Sequence, residues 1–177
     1  MTKKFKGARP LARLADHLPV RARVGLAVLA AELAVNHLRP SPNYPVASTA
    51  FDLARRWFDG ERFDSDLLED SIAAPSGDGA LACEIQAKSK AEKSAWLALV
   101  SSVLYTAFHA VRERGEPPSE VIAEVNETVL DEIDEFLRPI SPAFMKTMER
   151  AAKYLEQEPE ASFAELKFRI LEDKKSQ

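Results

Sequence analysis

The side chains of this chain best suited to chemistry are carboxylates, and they are concentrated in one stretch. Eight acids lie between Glu116 and Glu135 (Glu116, Glu120, Glu124, Glu127, Asp131, Glu132, Asp134 and Glu135), with no Lys or Arg among them. Clustered carboxylates can act as general acid and base, ligate a hard cation, or attract a basic partner. Acid–base work needs two carboxyls in different environments, and nothing in the spacing singles out such a pair. A carboxylate-bridged di-iron centre needs Glu-x-x-His pairs on helices. None of the three histidines has an acid three residues before it. The chain also has no glycine-rich phosphate loop, no nucleophile elbow and no zinc-protease helix. Cys83 is the single cysteine, so no intrachain disulfide can form, and no Cys/His ligand pattern surrounds it. His17, beside Asp16, reads as a surface residue. His37, after Asn36, reads as a favourable cation at a helix end. His109 reads as a buried or half-buried partner of Glu113 one helical turn on. These readings point away from an enzyme, with no cofactor and no metal expected.

The spacing of the acids favours a surface. At about 100° per residue, all of them except Glu132 fall within an arc of about 100°. Ile122, Val125, Val129, Ile133 and Phe136 fall opposite, at steps of 3, 4, 4 and 3. That pattern predicts an amphipathic helix with one apolar and one acidic face. Glu120–Glu124, Glu127–Asp131 and Asp131–Glu135 are like-charge pairs at i,i+4, each costing a few tenths of a kcal/mol. A face that only solvates a helix usually mixes signs. Glu116, Glu120, Glu124, Glu127, Asp131, Asp134 and Glu135 are therefore candidate residues for binding a basic partner, with plain solvation as the other reading.

The elements that would position this face are all helical. A basic tail to about residue 8 precedes a helix beginning near Arg9–Leu11. Pro19 kinks it or starts another, and Val20–Leu38 is a long apolar helix ended by Pro40, Pro42 and Pro45. Val46–Phe58 follows, closed by Asp59-Gly60, then a short helix over Asp66–Ile72. After a turn-rich connector, Ala80–Arg112 reads as one helix, near the centre of the bundle by its uncharged half, Ser94–Val111. Ser119 caps the acidic helix, Glu120–Leu137, which stops at Pro139. Ala143–Glu156 and a helix near Ser162–Leu171 complete the chain before a loose tail over residues 172–177. No stretch alternates with period two. The expectation is an all-α, single-domain bundle of about six to eight helices spanning residues 1–177. Trp57 and Trp96 lie on apolar stripes and are core residues.

Composition narrows the function. Hydrophobic residues make up 46% and charged residues 29%, ordinary for a soluble globular chain. The net charge of −4 hides an asymmetry: residues 1–62 carry 11 basic and 5 acidic side chains, and residues 63–177 carry 13 and 23. Such a chain is polar along its length. Lys3, Lys4, Lys6, Arg9, Arg13, Arg21 and Arg23 cluster, but without interleaved aromatics or a docking motif, so no nucleic acid is expected. Asp16, Pro19, Arg21 and Arg23 interrupt any signal-peptide pattern. Ser94–Val111 has the length of a membrane span, but Ser94, Ser101, Ser102, Thr106 and His109 make it too polar for lipid. A cytoplasmic protein without a membrane segment is the expectation.

Four stretches, in order, carry a resemblance. They are Ala31-Glu32-Leu33-Ala34; Val46-Ala47-x-x-Ala50-x-x-Leu53-x-x-x-Trp57 leading into Asp64–Asp70; Ala95-Trp96-x8-Tyr105-Thr106-Ala107; and Pro117-x3-Val121-x2-Glu124-Val125-Asn126-Glu127-x3-Asp131. Over about residues 20–155 the chain resembles the all-helical immunity proteins of bacterial polymorphic toxin systems, the family numbered six among them. It departs from the pattern at Arg55-Arg56-Trp57, where another aromatic or a cysteine is more typical, and at Phe108-His109, where another Trp would stand. The resemblance implies neutralisation of a cognate toxin by tight binding without catalysis, and importance for Glu124, Glu127 and Asp131. The other reading is a helical interaction or regulatory module with no toxin, self-associating through an exposed apolar patch.

Overall fold

Pro19 has no N–H to leave unsatisfied, so it suits the start of a helix. In the computed structural model, which describes residues 10–172, it is the N-cap of a 19-residue helix, Val20–Leu38 (α2). Every residue from Val24 to Val35 is buried, so α2 is enclosed on all sides. Before it, Leu11–Ala15 (α1) is a short separate helix; after it come Tyr44–Phe58 (α3) and Asp66–Ala73 (α4). Then follow Ala80–Ile85 (α5), Lys90–Arg114 (α6), Glu120–Ala123 (α7), Val129–Ile140 (α8), Ala143–Gln157 (α9) and Phe163–Lys167 (α10). A π-helical turn, Phe168–Glu172, closes the described chain. The basic tail over residues 1–8 and the tail over 172–177 lie outside the described residues, apart from Glu172.

The all-helical class is as the sequence predicts, but the described residues hold ten α-helices rather than six to eight. Two expected long helices are broken, each by a local side-chain hydrogen bond. The Ser89 hydroxyl accepts from the Glu92 N–H while the Glu92 carboxylate accepts from the Lys88 N–H, 3.0 and 2.8 Å. This reciprocal capping starts α6 afresh and separates it from α5. Further on, the Asn126 side chain accepts from the Thr128 N–H, 2.9 Å, which turns the chain between α7 and α8. Ser119 caps α7 through the Ile122 N–H, as its position predicts.

The core is built on α2 against α6, with α8 laid on α6 and α3 and α9 flanking α2. Trp96, Leu99, Val103 and Tyr105 on α6 and Leu26 and Leu29 on α2 are among the fully enclosed side chains. By length and composition α6 could span a membrane, but its apolar window is 83% buried inside the fold. Other helices cover it. Ser102 and Thr106 return their hydroxyls to the carbonyls of Ala98 and Ser102, so these buried polar groups are satisfied within the helix. Trp57 and Trp96 are both buried, but the Trp96 ring N–H finds no acceptor among the described residues. Cys83 is a buried free thiol whose ionisation burial disfavours.

Gly25 shows how tightly α2 and α3 meet. A Cβ there would stand 3.0 Å from two ring atoms of Phe58, itself fully buried. The missing side chain is filled by the Phe58 ring.

Candidate functional site

The break between α7 and α8 reshapes the acidic stretch. Its apolar side works as the periodicity predicts: Ile122, Val125, Val129 and Ile133 are all buried, although on two helices and the turn between them. The acids divide into two groups. Glu120, Glu124, Asp131, Glu132 and Glu135 are exposed and make no ion pair among the described residues. Glu116, Glu127 and Asp134 are held by the protein's own arginines: Glu116 by Arg114 at 2.7 Å, Asp134 by Arg138 at 2.7 Å, and Glu127 by Arg23 at 2.8 Å. Asp134 is 5% exposed, and burial raises its carboxyl above the usual range, against the pull of Arg138. Asp131 and Glu135 beside it push the same way.

Glu127 is the junction of a polar cluster. One carboxylate oxygen accepts the Tyr105 hydroxyl at 2.5 Å and meets the Arg23 guanidinium; the other lies 3.7 Å from His109 Nε2. Burial lifts the Tyr105 phenol well above its ordinary range, and Glu127 adds to this, so Tyr105 remains a donor. Burial pushes His109 down to about 4, with Arg23 and Arg112 acting the same way and Glu127 opposing. His109 is therefore neutral at physiological pH, and its approach to Glu127 is no ion pair. The expected His109–Glu113 pairing is not formed. Glu113 is engaged instead by Arg62, 3.1 Å away.

The Arg23–Glu127 pair divides two depressions. On one side is a hollow of about 270 Å³, where Asp16 and Asp131 face Arg23 and Glu127. On the other is a cleft of about 590 Å³ bordered by Arg21, Arg23, Arg62 and Arg112, with Trp57 and His109 in its wall. Arg62 stacks on the Trp57 ring, 4.8 Å from its centroid, and Arg112 on Phe108, 5.1 Å away. These arginines come from α2, the segment after α3, and the end of α6, far apart in sequence. The local signal is the Arg21 and Arg23 pair, two cations in the first turn of a helix that continues apolar. His17 is exposed, 3.4 Å from Glu156, and His37 is exposed in the last turn of α2. Among the described residues no three His, Cys, Asp or Glu side chains converge on a point that could hold a metal.

Three residues that carry the family resemblance meet here. Trp57 and Glu127 border the same cleft, and Tyr105 bonds Glu127 from beneath. A family model described as Immunity protein Imm6 matches residues 22–141, more than half of the chain, and the chain belongs to that family. No curated protein and no solved structure matches it.

Proposed function

We propose that this protein neutralises a cognate bacterial toxin in the cytoplasm by binding it, without catalysing a reaction. The observation that carries this reading is the family match over residues 22–141, which includes α7–α8 and most of the residues that line both depressions. The exposed acids Glu120, Glu124, Asp131 and Glu135 supply a negative surface for basic residues of the toxin. Charge complementarity of this kind speeds encounter and disfavours wrong partners, while buried anchors supply most of the affinity. Glu116, Glu127 and Asp134 act differently. Their arginine partners already neutralise them, so they shape the surface more than they charge it.

The test is a binding measurement with the product of the neighbouring toxin gene. Changing Glu120, Glu124, Asp131 and Glu135 to Lys should slow association by at least about tenfold at low salt, and rising salt should slow the parent protein in the same way. Unchanged affinity and association rate in a folded quadruple variant would discard the acidic surface as the contact. Absence of any complex with the toxin would favour the helical module with no toxin partner.

A further inference from the structure

The arginine-bordered cleft has the opposite sign to the proposed acidic surface. Four guanidinium groups border it against two carboxylates, Glu113 and Glu127, and Arg21 also meets Glu160, 3.3 Å away, which leaves a positive excess of one. The excess is sharpest at Arg112. It is exposed, makes no ion pair among the described residues, and has the Phe108 ring as its recorded contact. Beside it, His109 is only 6% exposed, and its Nε2 is buried without a hydrogen-bond partner. A buried polar nitrogen with no partner is destabilising. His109 lines the open cleft, so a group seated on Arg112 lies beside its ring.

We propose that this cleft is a socket for an acidic side chain of a protein partner. The carboxylate pairs with Arg112 beside the His109 ring, and an adjacent apolar side chain of the same segment rests on Val20 and the Trp57 wall. Val20 is 45% exposed at the edge of the cleft. Its volume of about 590 Å³ suits a short inserted segment better than one small ion. Glu113 and Glu127 would repel a polyphosphate or nucleic-acid backbone, whereas a single carboxylate is matched by the excess. The toxin as partner rests on the preceding reading. The interface is then two-signed, with acids on α7–α8 giving and the cleft receiving, on either side of the Arg23–Glu127 pair. An interface that uses both signs fixes register and rejects a partner bearing only one.

The experiment has two arms on the full chain. In the first, isotope-labelled protein is titrated with a capped leucine–glutamate dipeptide, its glutamine counterpart and inorganic phosphate. Saturable shifts of the His109 imidazole and Trp57 indole signals are expected with the acid, weak or absent with the amide, and lost in Arg112→Glu. An equal response to the amide, or tighter saturation by phosphate, would overturn the proposal. In the second arm, Arg112→Glu should weaken the toxin complex at least about tenfold and Arg112→Lys much less, with melting temperatures unchanged. If the toxin binds the parent and Arg112→Glu equally, the socket falls and the toxin reading stands. If the dipeptide seats as expected but the parent protein binds no toxin, the toxin reading falls and the socket stands.

Discussion

His109 illustrates how far one buried ionisable residue departs from its sequence neighbourhood. It sits among Tyr105, Phe108 and Glu127, with the Tyr105 ring 4.6 Å away. In the unfolded chain its imidazole titrates near 6.5, and in the fold near 4. The folded state therefore takes up this proton less readily. The stabilisation is fully present above about pH 6.5 and is lost as pH falls through about 4, at most about 3 kcal/mol. Urea unfolding at several pH values should show that loss, and His109→Phe should flatten it while other carboxylates continue to titrate below pH 5. An unchanged pH profile in the variant would place the effect elsewhere. The sequence shows an acid one turn away at Glu113 but cannot show that Arg62 occupies it. Residues 51 apart are joined there, and no local spacing reports such a contact.

At the scale of elements, helix starts were more legible than helix breaks. The start of α2 at Pro19 and of α7 at Ser119 follows from residue type. The break before α6 was also written locally, as Ser89 and Glu92 three apart, but the apolar run after it suggested continuity with Ala80. At Asn126 the apolar period continues across the turn, so periodicity alone reads one helix where there are two. The α2–α3 contact gives a sharp test of packing. Gly25→Val should destabilise by about 1–3 kcal/mol, because its side chain meets the enclosed Phe58 ring. Chemical denaturation would measure this, and a Phe58→Leu second substitution should recover part of the loss. A neutral Gly25→Val would show that α2 and α3 can separate more freely than their packing implies.

At the scale of the whole molecule, part of the charge asymmetry of the sequence is folded onto itself among the described residues. Arg21 pairs with Glu160, Arg23 with Glu127 and Arg62 with Glu113, each joining the basic first third to the acidic remainder. Glu32 is a deeper long-range pair of the opposite sense, an acid of the first third met by a base near the end. Only 8% of its side chain is exposed, and Lys167 on α10 meets it at 2.7 Å. Lys167→Met would leave that carboxylate in the core with only the Asn36 amide beside it, 3.3 Å away. A loss of about 1–3 kcal/mol is expected, discounted because Lys167 itself is partly exposed. The double change Glu32→Gln with Lys167→Met should recover part of it. Equal stability of the single variant and the parent would mean that α10 contributes little to holding α2.

The sequence by itself determined the helical class, the apolar stripes, most helix starts and the family resemblance. Each of these is written in neighbours a few residues apart, which is the range over which helix periodicity and capping act. Only the tertiary structure decided that Glu127 is engaged, by Arg23 brought from α2, whereas Arg114–Glu116 and Arg138–Asp134 are local pairs two and four residues apart. Pairing across a core has no period in the chain. The arginine-bordered cleft is the clearest instance. Arg23 and Arg112 are 89 positions apart, and α2 packing on α6 places them around one depression.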